Sequence, residues 1–298
     1  MYKVIAIIIT FNPDVKEVVG LIKSTEPQVD RIFVVDNGSD DSTINAIRNV
    51  LSGDSLVLEN NTNVGVSVAL NKGILEAKKV NASHVVFFDH DSLPSKNMIS
   101  ILLSTIEIKN KEGVKVGAVG PKYIDVKGTS LSPFVVLDGV CLKRVECTID
   151  EIVNVDFLIT SGSLISMDVF RVVGMMDESL FIDYVDTEWC LRALNKGYSF
   201  YGVGSAVMHH DLGDEFVNVF GRTVCVRSPI RNYYIIRNGV WLLFQSWVPF
   251  RWKFMDFFRI LGIYFVHSLL VGERFNNFKM MTKGLFHGFL RKMGKYEG

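Results

Sequence analysis

The 298-residue sequence lacks the glycine-rich signatures of the commonest nucleotide-binding enzymes. No G-x-G-x-x-G follows the first apolar segment, and no G-x-x-x-x-G-K-[ST] occurs anywhere in the chain. Because such loops hold the phosphates of bound nucleotides, NAD-dependent hydride transfer and P-loop phosphoryl transfer lose their main support. The glycine-rich basic loop of nucleotidyltransferases is also missing, since residues 11–14 read F-N-P-D.

Cysteine is scarce. The four cysteines form no C-x-x-C pair, and none belongs to a cysteine–histidine cluster with zinc spacing. This pattern argues against a structural zinc site and favours free thiols over a disulfide framework. The first residues also lack the charged start, apolar run and cleavage site of a secretory leader. We therefore expect a cytoplasmic protein.

The chain carries no net charge, but its charges are unevenly distributed. Residues 228–298 hold 11 basic and 3 acidic residues, a net charge of +8, so residues 1–227 carry −8. The asymmetry predicts a catalytic domain over 1–227 and a separate tail over 228–298.

Strand and helix signals alternate along residues 1–122, which predicts an α/β fold with a mainly parallel sheet flanked by helices. The expected strands cover residues 4–10, 31–36, 55–59, 84–89 and 114–119, and the expected helices about 12–24, 43–51, 65–80 and 98–108. Residues 123–227 are less regular. We expect short strands there at 134–144, 156–160, 163–166, 200–203 and 206–210, and a helix over 187–196.

Three polar residues end predicted strands, namely Thr10, Asp36 and Asp89. Parallel sheets bind ligands beyond the carboxyl ends of their strands, so these residues predict a site on one rim of the sheet. Asp36 could accept hydrogen bonds from a nucleotide, or it could simply cap the following helix.

The acidic triplet Asp89-His90-Asp91 follows an apolar strand. Two carboxylates at this spacing suit a hard cation such as Mg²⁺ or Mn²⁺, which also accepts phosphate oxygens as ligands. His210 could join them through a neutral imidazole. The alternatives are two solvated turn aspartates and a structural histidine.

A second acidic segment covers residues 177–192 and reads DESLFIDYVDTEWCLR. Asp186 lies at the start of the predicted helix, where the helix dipole favours an ionised carboxylate that could act as a general base. Capping alone is the plainer interpretation. Gly162, within T-S-G-S at 160–163, could shape an acceptor pocket or form an ordinary turn.

These motifs together resemble those of family 2 glycosyltransferases with the GT-A fold, particularly the bacterial rhamnosyltransferases of polysaccharide assembly. The similar segments are T-F-N-P at 10–13, V-V-D-N-G-S at 34–39, N-V-G at 63–65, F-D-H-D-S at 88–92, L-F-I-D-Y-V-D-T-E-W-C-L-R at 180–192, H-D-L-G-D at 210–214, and R-N-Y-Y with R-N at 231–238. Two positions depart from the pattern: His90 stands where the rhamnosyl branch often has glutamine, and Val185 replaces the first acid of an E-D-x-D motif.

The resemblance implies an inverting transfer of L-rhamnose from dTDP-rhamnose to a lipid-diphosphate-linked saccharide in O-antigen synthesis. Residues 1–122 would form the nucleotide-sugar half and 123–227 the acceptor half. Asp186 would be the catalytic base, and Asp91, Asp89 and His210 would hold Mg²⁺ or Mn²⁺. The implied nucleotide-sugar ligands are Thr10, Asn12, Asp36, Asn37, Asn63, Gly65 and Asp89, and the implied acceptor ligands are Ser161, Gly162, Asp183 and Glu188. The alternatives are another donor, such as a UDP-hexose, and a non-catalytic membrane-associated scaffold.

The tail is basic and rich in aromatic residues. Its apolar stretches at 230–247 and 252–271 are interrupted by Pro249, Arg259 and His267, so we do not expect a membrane span. Cations interleaved with aromatic rings favour a helix lying at the inner face of the membrane. A helical subdomain packed on the core, or a contact between two subunits, is the alternative. No feature indicates nucleic-acid binding.

Overall fold

A computed structural model describes residues 2–125, 131–210, 215–219 and 222–298. The strands are β1 Val4–Thr10, β2 Arg31–Asp36, β3 Leu56–Glu59, β4 His84–Asp89, β5 Ser92–Pro94, β6 Val116–Asp125, β7 Leu131–Ser132, β8 Phe134–Asp138, β9 Cys141–Val145, β10 Ile152–Val155, β11 Leu164–Ser166, β12 Ser199–His210, β13 Glu215–Val219 and β14 Arg222–Val226. The helices are α1 Val15–Thr25, α2 Asp41–Arg48, α3 Val66–Lys79, α4 Met98–Lys111, α5 Met167–Val173, α6 Val185–Asn195, α7 Pro229–Leu243, α8 Phe250–Leu269 and α9 Arg274–Phe289.

The central sheet has the strand order β10-β12-β6-β11-β4-β1-β2-β3, with β5 added on β12 and β7 on β6. The four strands β3, β2, β1 and β4 are parallel, and β12 runs parallel to β6. Strand β11 lies antiparallel between β4 and β6. The expected α/β class with a mainly parallel sheet is confirmed.

Apolar side chains on both faces of the sheet explain why the inner strands read as continuous hydrophobic runs. Ile5, Ile7 and Phe33 belong to one buried cluster, beneath α3, whereas Ile8 and Val34 belong to the other, beneath α1 and α4. Because β1, β2, β3 and β4 run parallel, their carboxyl ends lie at a single edge of this buried sheet.

The predicted strand bounds agree best with the structure where a single run of apolar residues forms a single strand. Strands β1, β2 and β4 have the expected bounds. The strand expected at 156–160 is wrong, because pairing with β12 involves residues 152–155 instead. The segment 134–144 forms the hairpin β8–β9 rather than one strand. The two strands expected at 200–203 and 206–210 are one, β12, with an irregularity between Val203 and Val207.

Helices α7, α8 and α9 pack together and onto the acidic segment. Leu242, Val248 and Trp252 share a buried cluster with Tyr184 and Leu191. In the described part of the chain, no helix combines the length and apolarity needed to cross a bilayer. The division at residue 227 remains a prediction, and the contacts across it are extensive.

Candidate active site

Three loops at the strand ends are joined by hydrogen bonds and are called the rim loops here; they comprise residues 10–12, 36–39 and 60–65. Asp36 is fully buried and accepts bonds from the Thr10 hydroxyl at 2.8 Å and from the Ser39 hydroxyl at 2.7 Å. It also accepts the backbone N–H groups of Gly38 and Ser39 at 3.0 and 2.7 Å. Its carboxylate therefore shapes the loop after β2. Asp40, not Asp36, caps α2.

Two asparagines connect the second and third rim loops. The Asn37 side-chain amide donates to Asn63 Oδ1 at 3.1 Å, and Asn37 Oδ1 accepts from the Val64 N–H at 3.1 Å. Asn12, in the first loop, is exposed with φ 46°, and its N–H donates to Ser39 Oγ at 2.8 Å. The predicted nucleotide residues of these loops are thus brought together, and their ligand roles remain predictions.

The acidic triplet lies between β4 and β5, on the same sheet edge. The Asp89 N–H donates to Ser161 Oγ at 3.1 Å, and Ser161 Oγ lies 2.7 Å from Ser92 Oγ. The Tyr123 hydroxyl donates to the Ser161 carbonyl at 2.9 Å. Ser161 is buried, so its contacts position the triplet; an acceptor-binding role remains a prediction. The same holds for Gly162, which is buried with φ +75° where a Cβ would lie 2.6 Å from the Pro121 ring.

Asp186 lies in the first turn of α6, as expected, although the N-cap position belongs to Tyr184. Its Oδ1 accepts the Thr187 N–H at 2.7 Å. Burial raises the pKa of Asp186 from 3.8 to about 6, and the charges of Asp183 and Asp89 add to this rise against the opposing bonds from Thr187. We expected the helix dipole to keep this carboxylate fully ionised; burial partly overrides that effect. A carboxylate with a pKa near 6 remains mainly ionised at neutral pH and is a stronger base than an ordinary aspartate.

The negative charges of Asp89 and Asp186 both act on the Tyr123 hydroxyl. After burial, these two charges are the causes that raise the pKa of the Tyr123 hydroxyl. Asp89 and Asp186 therefore lie close enough for their charges to interact, although they come from different halves of the predicted catalytic domain.

Residues 180–186, called the acidic loop here, have an unusual backbone. Phe181, Asp183 and Tyr184 all have positive φ angles, between 61° and 65°. Such angles cost a non-glycine residue about 1–2 kcal/mol each. Strain of this kind persists where surrounding contacts enforce it, and it is frequent at functional sites.

Helix α7 supplies those contacts. The buried Asn238 side chain donates to the carbonyls of Leu180, Ile182 and Asp183 at 3.0, 2.8 and 2.9 Å. The buried Arg237 donates to the Leu180 carbonyl at 3.0 Å. The tail thus holds the segment that presents the candidate base.

The rim loops and the acidic loop meet at Gly65. The Val66 N–H donates to the Phe181 carbonyl at 2.6 Å. Gly65 has φ +96°, and a Cβ there would lie 2.6 Å from the Phe181 ring. A glycine is therefore required for this close approach.

Two predicted acceptor residues have different surroundings. Asp183 is paired with Arg231 through two bonds of 2.7 and 3.1 Å. Glu188 is buried and paired with Arg192 through bonds of 2.7 and 2.9 Å, while Arg192 also donates to the Val173 carbonyl. This ion pair gives Glu188 a structural partner, and residues two apart on a helix, such as Asp186 and Glu188, point in nearly opposite directions; the acceptor role of Glu188 remains a prediction.

A divalent cation fits the chemistry of the triplet. Asp89 is exposed and Asp91 half-buried, and the two carboxylates lie two residues apart beside a region of concentrated negative charge. No group of three or more metal-ligating side chains occurs among the described residues. The backbone of His210 pairs with Ser92, but its side chain and residues 211–214 of the H-x-L-G-D motif lie outside the described structure. The metal set Asp91, Asp89 and His210 therefore remains a prediction.

The R-N motif at 237–238 is recognisable in the sequence, but the motif alone does not reveal its structural role. One signal was present: Arg237 and Asn238 interrupt the apolar run of α7, and polar residues in a buried helix need partners. Nothing comparable in the sequence around Tyr123 and Thr187 marks these two residues as part of the candidate site.

A mainly parallel sheet with carboxylates at its strand ends is consistent with the GT-A fold of glycosyltransferases, and comparison with known proteins assigns the chain to that class. The chain belongs to glycosyl transferase family 2, whose family model matches residues 5–171. It is 33% identical over 246 residues to the dTDP-rhamnosyl transferase RfbF of Shigella flexneri, covering 82% of this chain and 81% of that protein.

Solved structures show the same fold. The S. aureus TarS fragment 1–349 with UDP-GlcNAc superposes with a TM-score of 0.60 at 16% identity, covering 96% of this chain and 80% of that one. GalNAc-T7 with UDP, GalNAc and Mn²⁺ gives a TM-score of 0.59 at 15% identity, covering 97% of this chain and 56% of that one.

Proposed function

We propose that the protein transfers L-rhamnose from dTDP-rhamnose, with inversion, to a lipid-diphosphate-linked saccharide of O-antigen synthesis at the inner face of the membrane. The observation that supports dTDP-rhamnose as the donor is the 33% identity to a dTDP-rhamnosyl transferase along most of both chains. The other parts of the proposal depend on the candidate site and on the surface of the tail.

In the proposed reaction, Asp186 takes the proton of an acceptor hydroxyl. The acceptor oxygen then forms a bond to the anomeric carbon, while the bond from that carbon to the diphosphate oxygen breaks and its electron pair leaves with dTDP. A single displacement of this kind inverts the anomeric centre. The pKa of about 6 suits Asp186 to this role, because the group is ionised before the reaction and accepts a proton readily.

The rim loops hold the nucleotide in this proposal, with Thr10, Asp36 and Asn37 fixing their shape. Asp89 and Asp91, with His210, would hold Mg²⁺ or Mn²⁺. When bound, the cation offsets the charge that develops on the departing diphosphate. Loss of transfer in EDTA, with recovery on addition of Mn²⁺ or Mg²⁺, is the expected sign of this requirement.

The tail supplies the proposed membrane contact. Phe250, Phe254, Phe257 and Phe258 share an exposed side of α8, and Phe275, Phe286 and Phe289 are exposed on α9. An apolar surface of this extent, accompanied by cations, fits the interface of an anionic membrane. Deleting residues 228–298 would also remove Asn238 from the acidic loop, so substitution is the cleaner test. We expect Phe254→Ser/Phe258→Ser to sediment less with anionic liposomes than wild type, whereas loss of a dimer without change in sedimentation would instead indicate a subunit contact.

The donor test offers dTDP-rhamnose and UDP-hexoses to the protein with a lipid-linked acceptor extract, and mass spectrometry identifies the transferred sugar. We expect a deoxyhexose from dTDP-rhamnose, and NMR of the product should show the opposite anomeric configuration to the donor. Transfer from a UDP-hexose alone would refute the donor assignment. If dTDP, UDP and GDP all failed to raise the melting temperature, with or without Mn²⁺, a non-catalytic scaffold would be favoured.

A further inference from the structure

A cleft of about 320 Å³ lies beside the acidic loop. Its walls include Asp183 and Thr187, which flank Asp186, and Trp252 and Arg259 of α8. Its volume lies within the range of ordinary ligand pockets. The cleft therefore lies between the acidic loop and the helix that carries the exposed phenylalanines.

Three arginines line this cleft, namely Arg227, Arg231 and Arg259. Arg231 is paired with Asp183 and Arg259 with the buried Asp256, yet their side chains remain 46% and 38% exposed. Arg227 forms no ion pair with any described residue, and its charge helps to lower the pKa of His267, after the larger effect of burial. Among the described residues, Arg227 is therefore the arginine of this cleft whose charge is not offset by a carboxylate partner.

Trp252 adds a second, independent observation. Its side chain is 3% exposed, and its indole Nε1–H has no hydrogen-bond partner among the described residues. An unsatisfied buried donor costs about 1–3 kcal/mol, so an acceptor that reached this N–H would recover part of that cost. Cationic guanidinium groups beside an unsatisfied N–H donor select an acceptor-rich anion, and arginine is particularly suited to phosphate.

We propose that this cleft binds the phosphate groups of the lipid-linked acceptor, separately from the diphosphate of the donor. The inference rests on the proposed function and extends it. The acceptor's lipid would lie along the exposed aromatic side of α8, its diphosphate among Arg227, Arg259 and the Trp252 N–H, and its saccharide beside Asp186. The cleft thereby selects acceptors by their linkage group as well as by their sugars.

The first test measures binding of geranyl diphosphate, geranyl monophosphate and geraniol by calorimetry, with saturating dTDP and Mg²⁺ occupying the donor site. We expect Arg227→Gln to weaken geranyl diphosphate binding about tenfold or more, because a charge-assisted contact is lost, and to leave geraniol unchanged. Trp252→Phe should show a smaller loss. The matched control is Arg251→Gln, which removes the same charge from an exposed position of α8.

Three results would overturn the proposal. These are equal weakening by Arg251→Gln and Arg227→Gln, equal affinity for geraniol and geranyl diphosphate, and loss of geranyl diphosphate binding when dTDP is added. The third result would place the diphosphate in the donor site.

A kinetic test separates this inference from the proposed function. The same saccharide is offered on a lipid diphosphate and on a neutral alkyl glycoside. We expect Arg227→Gln to raise KM for the first acceptor only, with the donor KM unchanged. If wild type bound geranyl diphosphate as expected but transferred no sugar to either acceptor, the proposed function would fail while the cleft remained. Transfer that Arg227→Gln reduced equally for both acceptors would contradict the cleft alone.

Discussion

The rim loops and the acidic loop lie on the two sides of one site, but different parts of the chain stabilise them. The hydrogen bonds that join the rim loops to one another connect residues within the segment 10–65. Examples are the bonds from Thr10 to Asp36 and from Asn37 to Asn63. The acidic loop depends on Asn238, more than 50 residues further along the chain. The predicted nucleotide side is therefore built mainly from local segments, with one bond from the tail, from Lys295 Nζ to the Asn63 carbonyl at 3.0 Å, whereas the side that bears the candidate base depends on the tail.

Asp186→Asn should produce the largest effect, because it removes the base and leaves the rim loops intact. We expect kcat to fall about 10²–10⁴-fold while the stabilisation by dTDP is unchanged. Near wild-type turnover would remove Asp186 from this role. Asp168→Asn, at an exposed position on α5, is the control.

The same substitution should stabilise the protein at neutral pH. The folded-state pKa of Asp186 is raised from 3.8 to about 6, so the folded protein holds the proton more tightly than the unfolded chain. The carboxylate thus costs stability above pH 6, and the cost disappears as pH falls through this range. We expect Asp186→Asn to gain about 1–2 kcal/mol at pH 7.5, after allowance for partial exposure, and nothing near pH 4. For wild type, kcat/KM should fall as pH drops through about 6.

Asn238→Leu tests the dependence on the tail. The carbonyls of Leu180, Ile182 and Asp183 would each lose a donor, and among the described residues only Leu180 would keep one, from Arg237, so the cost is about 1–3 kcal/mol. We expect kcat to drop at least tenfold, with unchanged dTDP binding by thermal shift. Asn276→Leu, at an exposed site on α9, should match wild type. Equal turnover of the two variants would mean that the acidic loop forms without α7.

Gly65→Ala should disturb both sides together, because the added Cβ would lie 2.6 Å from the Phe181 ring. We expect a higher donor KM and a lower kcat, each by several-fold. Gly113→Ala is the matched control, since Gly113 also has a positive φ of 79° but no atom lies within 4 Å of the added Cβ. A change confined to one kinetic parameter would show that the two loops act independently.

Thr10→Val should have the smallest effect, confined to the nucleotide side. It removes one of the four donors to the buried Asp36 carboxylate, at a cost of about 1–2 kcal/mol. We expect the donor KM to rise several-fold and kcat with saturating donor to stay constant. Thr105→Val removes a buried hydroxyl from α4 and should leave both parameters unchanged. A fall in kcat alone would contradict the division between the two sides.

This division also explains which features the sequence could predict. Strand ends are local signals, so Thr10, Asp36 and Asp89 could be placed on one sheet edge before the structure was known. The ion pair of Glu188 depends on the direction of each side chain around α6, which the motif alone does not specify. The partners of Asn238 lie in a segment with no regular periodicity, and hydrogen bonds between such distant residues leave no local pattern.

The contact between Ser179, which directly precedes the acidic loop, and Gly294 has a consequence for synthesis in the cell. The Gly294 N–H donates to the Ser179 carbonyl at 2.7 Å, and the Gly294 carbonyl accepts from Arg237. Ribosomes release a chain from its N-terminus, and early segments can fold while later ones are still being made. Strands β1 to β4 can therefore assemble first, whereas the acidic loop cannot acquire its final contacts until residue 294 has emerged. The growing chain is thus expected to bind nucleotide before it can catalyse transfer.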